Sequence, residues 1–427
     1  MAITAFFLLV AMPILVILGM PIAFALGVTA LATLLMLGNM PLNIIPQKIF
    51  AGIDSFPILA IPFFILAGSI MTIGGINKKI LSISNAIVGW VDGSLAIVTV
   101  AASMVFAAIS GSAVATVAAI GGITIPAMQK EGYGSSFAAA VAASGAVCGP
   151  IIPPSIPLIV YGAALGMSIN DLFIGSLVPG LMIGTGLGIA AYVISRKRRF
   201  PKHERMSLSA SLQAIREGLW ALLMPVIILG GIFFGIYTPT EASVIAVAYG
   251  IFVGLFIYKE ITWKKLWDVV VEAAISSAVI MMILAASKIT SILVVANHLS
   301  EAVTNSILAI TGSRFGVLLL VNVFLLIVGC LMEANAAVVI LTPILVPLVA
   351  KVGMGPLEFG VIMVFNLCLG LLTPPVGATL LLGNDIARAN MGQTTKETVP
   401  FFAVGLVVLA VITAFPQIIT FLPHYLK

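Results

Sequence analysis

Two long apolar runs in this chain are each broken by a Pro-Pro pair, and each break has a small polar cluster upstream. The first break reads Cys148-Gly149-Pro150-Ile151-Ile152-Pro153-Pro154-Ser155, the second Gly370-Leu371-Leu372-Thr373-Pro374-Pro375-Val376-Gly377. About forty residues before them stand Ser110-Gly111-Ser112-Ala113 and Glu333-Ala334-Asn335-Ala336. Pro153 and Pro374 lie 221 positions apart and Ser112 and Asn335 lie 223 apart, so two matching halves differ by a two-residue indel. Proline removes a backbone donor and disfavours the preceding helical turn, so carbonyls are freed at each break. Within a bilayer, unwound backbone survives only where protein buries it or where it lines a cavity. Paired, repeated discontinuities of this kind point to ion and substrate sites near the membrane midplane of a secondary transporter.

Composition supports the membrane setting. Of 427 residues, 61% are hydrophobic and 8% charged, against roughly 25% charged in a soluble domain. Apolar stretches of about 20 residues recur, which excludes an outer-membrane barrel built from short alternating strands. The net charge of +5 sits between spans and is not a nucleic-acid footprint. Cys148, Cys330 and Cys368 stand in apolar context without metal spacing and read as buried structural thiols. The start lacks a basic n-region, so no cleavable signal is expected.

The expected fold is all-α and polytopic, with two inverted repeats of five crossings and one re-entrant hairpin each. Residues 1–195 form the first repeat: spans near 3–19, 22–38 and 54–75, a hairpin at 95–128, a broken helix at 133–165 and a span at 171–195. A basic cytoplasmic linker occupies 196–212. Residues 213–427 form the second: spans near 213–235, 239–258 and 273–295, a hairpin at 314–350, a broken helix at 356–390 and a last span at 398–422. Five crossings per half is an odd number, so the second half is inverted. Placing the linker inside puts fifteen of the twenty Lys and Arg, from Lys78 to Lys396, on the cytoplasmic side. Lys48, Arg314, Lys351 and Lys427 fall outside, and Lys288 lies within a span. Two amphipathic segments, 77–91 and 297–310, precede the hairpins and read as interfacial connectors.

Candidate ligands follow from the clusters. A hard cation such as sodium takes several oxygen ligands and tolerates neutral ones. Ser110, Gly111 and Ser112 with carbonyls around Gly145, Cys148 and Pro150 make one expected sodium cage. Glu333 and Asn335 with carbonyls near Gly329, Gly370 and Thr373 make the other. A carboxylate at a hairpin tip within the bilayer costs several kcal/mol unless paired, protonated or metal-bound, so Glu333 can ligate sodium, carry a proton or cap amides. Lys288 is expected to snorkel outward. The substrate carboxylate is expected over the freed helix N-termini, with Ser112, Pro154, Ser155, Asn335, Thr373, Pro375 and Gly377 lining its site. Thr238-Pro239-Thr240-Glu241 fits a capping box, which gives Glu241 a structural task. No Walker loop occurs, and no His stands where it would activate a serine, which weighs against an ATPase or a membrane enzyme. An ion channel lined by the same breaks is the alternative class; inversion-related hairpins favour alternating access over it.

The chain resembles the large membrane subunit, DctM-like, of tripartite ATP-independent periplasmic (TRAP) transporters. The motifs carrying the resemblance are Ala60-Ile61-Pro62-Phe63-Phe64-Ile65-Leu66-Ala67-Gly68, Ser110-Gly111-Ser112, Gly149-Pro150-Ile151-Ile152-Pro153-Pro154-Ser155, Tyr237-Thr238-Pro239-Thr240-Glu241-Ala242 and Thr373-Pro374-Pro375-Val376-Gly377. The resemblance implies sodium-driven uptake of a carboxylated solute across the bacterial inner membrane, by an elevator motion of the hairpins and broken helices. It implies two partners, a small four-helix membrane subunit and a periplasmic substrate-binding protein, besides the lipid bilayer. Sialic acid is the substrate expected first, with a C4-dicarboxylate or another organic acid as the alternative.

Overall fold

The computed structural model describes residues 2–38, 40–201 and 206–426. Lys202, His203, Glu204 and Arg205 of the expected linker lie outside the described residues. A helical run α1 (Ala2–Phe6, a π-helical piece Phe7–Ala11 and Met12–Ile17) leads into α2 (Ile22–Leu37), α3 (Ile44–Ile53), α4 (Ala60–Ile73) and α5 (Ile76–Val88). Next come α6 (Ser94–Ser110), α7 (Ala113–Lys130), α8 (Ser135–Ala146), α9 (Ile156–Leu165) and α10 (Ile169–Arg198). The later part contains α11 (Leu208–Phe233), α12 (Pro239–Ile257), α13 (Trp263–Ala296), α14 (Leu299–Ile310), α15 (Arg314–Leu331) and α16 (Ala334–Lys351). It closes with α17 (Pro356–Gly370), α18 (Ala378–Ala387), α19 (Met391–Ala414) and α20 (Gln417–Tyr425).

Nine helices among the described residues are long and apolar enough to cross a membrane. That number differs from ten expected crossings for a physical reason. The first two expected spans (α1 and α2) and the two broken helices (α8 with α9, α17 with α18) do not qualify because their helices are too short, whereas the hairpin arms α7, α15 and α16 do. With the membrane excluding water, helix starts need internal acceptors. Ser112, Ser155, Ser168, Ser207, Thr262, Ser313 and Asn390 each cap the helix that follows them with a side-chain oxygen. The Thr238–Glu241 capping box is present: Thr238 Oγ1 accepts from the Glu241 amide at 3.3 Å, and Glu241 Oε2 accepts from the Thr238 amide at 2.7 Å.

Four features differ from the sequence reading. Helix α13 begins at Trp263 rather than near 273, because its first turns carry Lys264, Lys265, Asp268 and Glu272 on an exposed face that hydropathy alone reads as loop. The last expected span divides into α19 and α20 at Phe415-Pro416. Helix α3 was not expected; Gly52 within it packs so closely on α13 that a Cβ would stand 3.1 Å from the Ala285 Cα. The linker is also shorter than 196–212, since α10 runs to Arg198 and α11 starts at Leu208.

Helices of the two halves exchange places. Helix α2 packs on α13, while α12 packs on α4; α8 packs on α18 and α19, while α9 packs on α16 and α17. Hairpin arms and broken helices therefore form one body with α10 and α19, and α2, α3, α4, α11, α12 and α13 form a second layer against it. The amphipathic helix α5 bridges the layers: it packs on α6 and on α11, and Lys79 pairs with Glu217 at 2.9 Å while Lys78 pairs with Glu260 at 3.2 Å. Such exposed pairs contribute under about 1 kcal/mol each, so apolar packing carries this contact. Where the linker begins, Phe200 stacks on Tyr133 with ring centroids 4.4 Å apart, and Arg198 makes a bidentate pair with Glu397.

Candidate functional site: two hairpin tips against two broken helices

At the first tip, α6 ends and Gly111 takes a left-handed conformation, φ 61°, which reverses the chain without a Cβ clash. Ser112 is extended and caps α7, its Oγ accepting from the Ala115 amide at 3.4 Å. Thr116 Oγ1 donates to the Ser112 carbonyl at 2.7 Å and lies 3.2 Å from Ser110 Oγ. The tip interlocks with the break between α8 and α9. A Cβ on Gly111 would stand 2.6 Å from the Pro154 carbonyl oxygen, and one on Gly149 would stand 2.7 Å from the Ser112 carbonyl oxygen. Ser155 Oγ donates to the Pro150 carbonyl at 2.5 Å and accepts from the Leu158 amide at 3.3 Å.

The carbonyls at this break are turned inward rather than left bare. Gly145 O accepts from the Cys148 amide at 3.2 Å, and Cys148 O accepts from the Ile151 and Ile152 amides at 3.1 and 2.8 Å. Each of these carbonyls keeps only part of its lone-pair capacity, so a cation placed here would need side-chain oxygens as well. A buried hydroxyl not selected from the sequence lies beside this break. A Cβ on Gly145 would stand 3.1 Å from Ser103 Oγ, and the hydroxyls of Ser103 and Ser144 are buried without a hydrogen-bond partner. Gly145 thus faces Ser103 on α6, about two turns below the tip.

At the second tip, Glu333 caps α16. Its Oε2 accepts from the Ala336 amide at 3.1 Å, and its Oε1 accepts from Asn335 Nδ2 at 2.6 Å. Of the tasks open to this carboxylate from sequence, capping is the one its contacts display. Asn335 Oδ1 is buried and has no partner. The break between α17 and α18 closes on the other hairpin arm: Val376 and Gly377 amides donate to the Cys330 carbonyl at 3.3 and 3.4 Å. A Cβ on Gly329 would stand 2.7 Å from the Leu367 carbonyl oxygen, so α15 and α17 touch backbone to backbone. The Gly370 carbonyl accepts from both the amide and the hydroxyl of Thr373, at 2.9 and 2.8 Å. Both breaks carry a cis Pro-Pro bond, Pro153-Pro154 and Pro374-Pro375.

The sequence-selected residues therefore gather into two clusters, 110–112 with 149–155 and 333–335 with 329–330 and 370–377. Their exposure is unequal. Pro154 and Ser155 are buried, whereas Pro374, Pro375 and Val376 are exposed and Thr373 is half-buried. Buried neutral oxygens without partners (Ser103, Ser144 and Asn335) fit a monovalent cation. A further polar link had a visible signal in the sequence, an Asn inside an apolar run. Asn366 Nδ2 donates to the Asn322 carbonyl at 3.0 Å and to its Oδ1 at 2.7 Å, tying α17 to α15. Lys288 is exposed, in keeping with the outward placement expected of it, and lines a cleft between α13 and α16.

Comparison with known proteins bears on this arrangement. Residues 9–418 match the family model of the tripartite ATP-independent periplasmic transporter, DctM component. The chain is 44% identical over 401 residues to the isethionate TRAP transporter permease protein DctMQ of Oleidesulfovibrio alaskensis, covering 94% of this chain and 63% of that relative. It is 37% identical to the C4-dicarboxylate TRAP transporter large permease protein DctM of Pseudomonas aeruginosa, covering 94% of each. To the sialic acid TRAP transporter large permease protein SiaM of Vibrio cholerae it is 34% identical, covering 95% of each. The crystal structure of the Alcanivorax borkumensis YdaH transporter shares its fold, with a TM-score of 0.61 at 13% identity, covering 87% of this chain and 88% of that one.

Proposed function

From the premise that this chain belongs to the DctM family of TRAP transporter large permeases, which are transporters and not enzymes, we propose that it drives sodium-coupled uptake of a small organic anion across the bacterial inner membrane. The observation that carries this reading is the pairing of each hairpin tip with a broken helix, with partnerless buried oxygens beside both. Ser110, Ser112, Ser103 and the backbone of Gly145, Cys148 and Pro150 would hold one sodium; Asn335, Thr373 and the backbone of Gly329 and Gly370 would hold the other. A bound cation supplies positive charge beside the starts of α9 and α18, so anion and sodium favour each other's binding.

The exchange of helices between halves supports inverted repeats, and the two-layer packing supports an elevator in which the hairpin body moves along the second layer. A small four-helix membrane subunit and a periplasmic binding protein complete the system on this reading. Sialic acid remains within the proposed class. The higher identity to the isethionate permease favours a smaller anion as a second reading. Co-reconstitution with both partners, and uptake of N-acetylneuraminate, succinate and isethionate with and without an inward sodium gradient, tests the proposal. Saturable uptake that collapses without the gradient supports it. Uptake indifferent to sodium, or single-channel currents, would reject it.

A further inference from the structure

A cleft of about 320 Å³ separates α13 from α16, bounded also by the end of α9 and by Gly52 of α3. That volume suits a small ligand. Most of its wall is apolar, with Ser287, Ser291 and Thr342 as hydroxyls and Lys288 as its single charge. Lys288 stands about two turns before the end of α13, inside a segment long and apolar enough to span a membrane. Among the described residues it forms no ion pair; the acidic groups of the elements packed on α13 near it, Asp54, Glu301 and Glu333, are not within salt-bridge distance. Lys288 is exposed and lines the cleft, so its ammonium, without an ion-pair partner among the described residues, is available to an anion that enters. The hydroxyls of Ser291 and Thr342 now bond carbonyls of their own helices, at 3.0 and 2.5 Å, and can rotate to donate.

The cleft also stands in a telling position. One wall, α16, begins at the Glu333–Asn335 tip, and another, α9, begins at the Ser155 cap of the first break. The facing wall, α13, belongs to the opposite layer. A ligand held here spans the surface along which the two layers slide.

We propose that this cleft is an anion-binding station between the two layers, with Lys288 as the charge partner of the transported anion's carboxylate or sulfonate. It rests on the transport reading above only for the anion's identity. The test begins with electrostatics that need no substrate. Ser291→Cys, on a background lacking Cys148, Cys330 and Cys368, is reacted with sulfonatoethyl and trimethylammonioethyl methanethiosulfonate. Lys288 should favour the anionic reagent, and K288Q should lower the anionic-to-cationic rate ratio roughly tenfold while K288R preserves it. In the reconstituted complex, K288Q should raise the half-saturating concentration of whichever of N-acetylneuraminate, succinate or isethionate is accumulated, by roughly tenfold, with maximal rate less affected. K288R should restore most of it. A rate ratio indifferent to K288Q overturns the proposal, as does an unchanged half-saturation in an active complex. If none of the three anions is taken up by the unmodified complex, the transport reading fails, and the thiol ratio alone decides whether the cleft is an anion site.

Discussion

Asn335 donates from Nδ2 to Glu333 Oε1 at 2.6 Å, which turns its own Oδ1 inward, buried and without a partner. The carboxylate thereby holds the amide, and the amide oxygen is left without a hydrogen bond, which is why the proposed sodium site includes it. The first tip has a parallel arrangement: Ser112 spends its oxygen on the α7 cap while the Ser103 hydroxyl stays unengaged.

Asn335→Ala and Ser112→Ala should each raise the sodium concentration for half-maximal uptake, by several-fold, through loss of one cage oxygen or of the cap that positions it. Ser112→Ala should also cost about 1 kcal/mol of stability through the lost cap. Sodium titrations that superimpose on the parent in both variants, at normal expression, would remove these residues from the cages.

Glu333→Gln separates holding from proton carrying. The single amide oxygen of Gln can keep one of the two acceptor contacts, to the Ala336 or the Asn335 donor, while its NH2 faces the other, and the side chain no longer titrates. Transport should persist, weakened yet still driven by sodium. Complete loss of uptake, in a parent whose uptake follows a proton gradient without sodium, would make Glu333 the coupling group instead.

Gly149→Ala and Gly111→Ala test the interlock between tip and break. Their new methyls would meet the Ser112 and Pro154 carbonyl oxygens at 2.7 and 2.6 Å, and Gly111 must also keep its positive φ. Each should destabilise the protein by about 2 kcal/mol and reduce uptake more than the same change at Gly122, which has open space around it. Melting temperatures of the three purified variants check this; equal values would show that tip and break do not touch in the working protein.

Exposure of the two sites should alternate. Pro374–Val376 is exposed while Pro154 and Ser155 are buried, an inequality that the proposed motion would reverse. Single cysteines at Ser110 and Asn335 should respond oppositely to sodium plus substrate when probed with impermeant thiol reagents. Labelling from one fixed side, whatever is bound, favours a static pore.

Sequence alone determined much of this molecule, because the bilayer leaves few solutions. Apolar runs of spanning length became helices, and Pro-Pro pairs broke them where amides were missing. The Thr238–Glu241 box was legible because capping is local, resting on residues three apart. Non-local properties were not legible. Nothing in the order of residues says that Gly145 faces Ser103, that Gly149 admits the Ser112 carbonyl, or that α3 lies against Ala285 of α13. Nor does it say whether Lys288 looks to lipid or to a cleft, since a helix presents a residue to whatever its neighbours leave beside it. Those outcomes were decided by how two sets of helices pack across each other. Close backbone approach selects glycine there, and only the packed structure shows which buried oxygens are hydrogen-bonded and which are not.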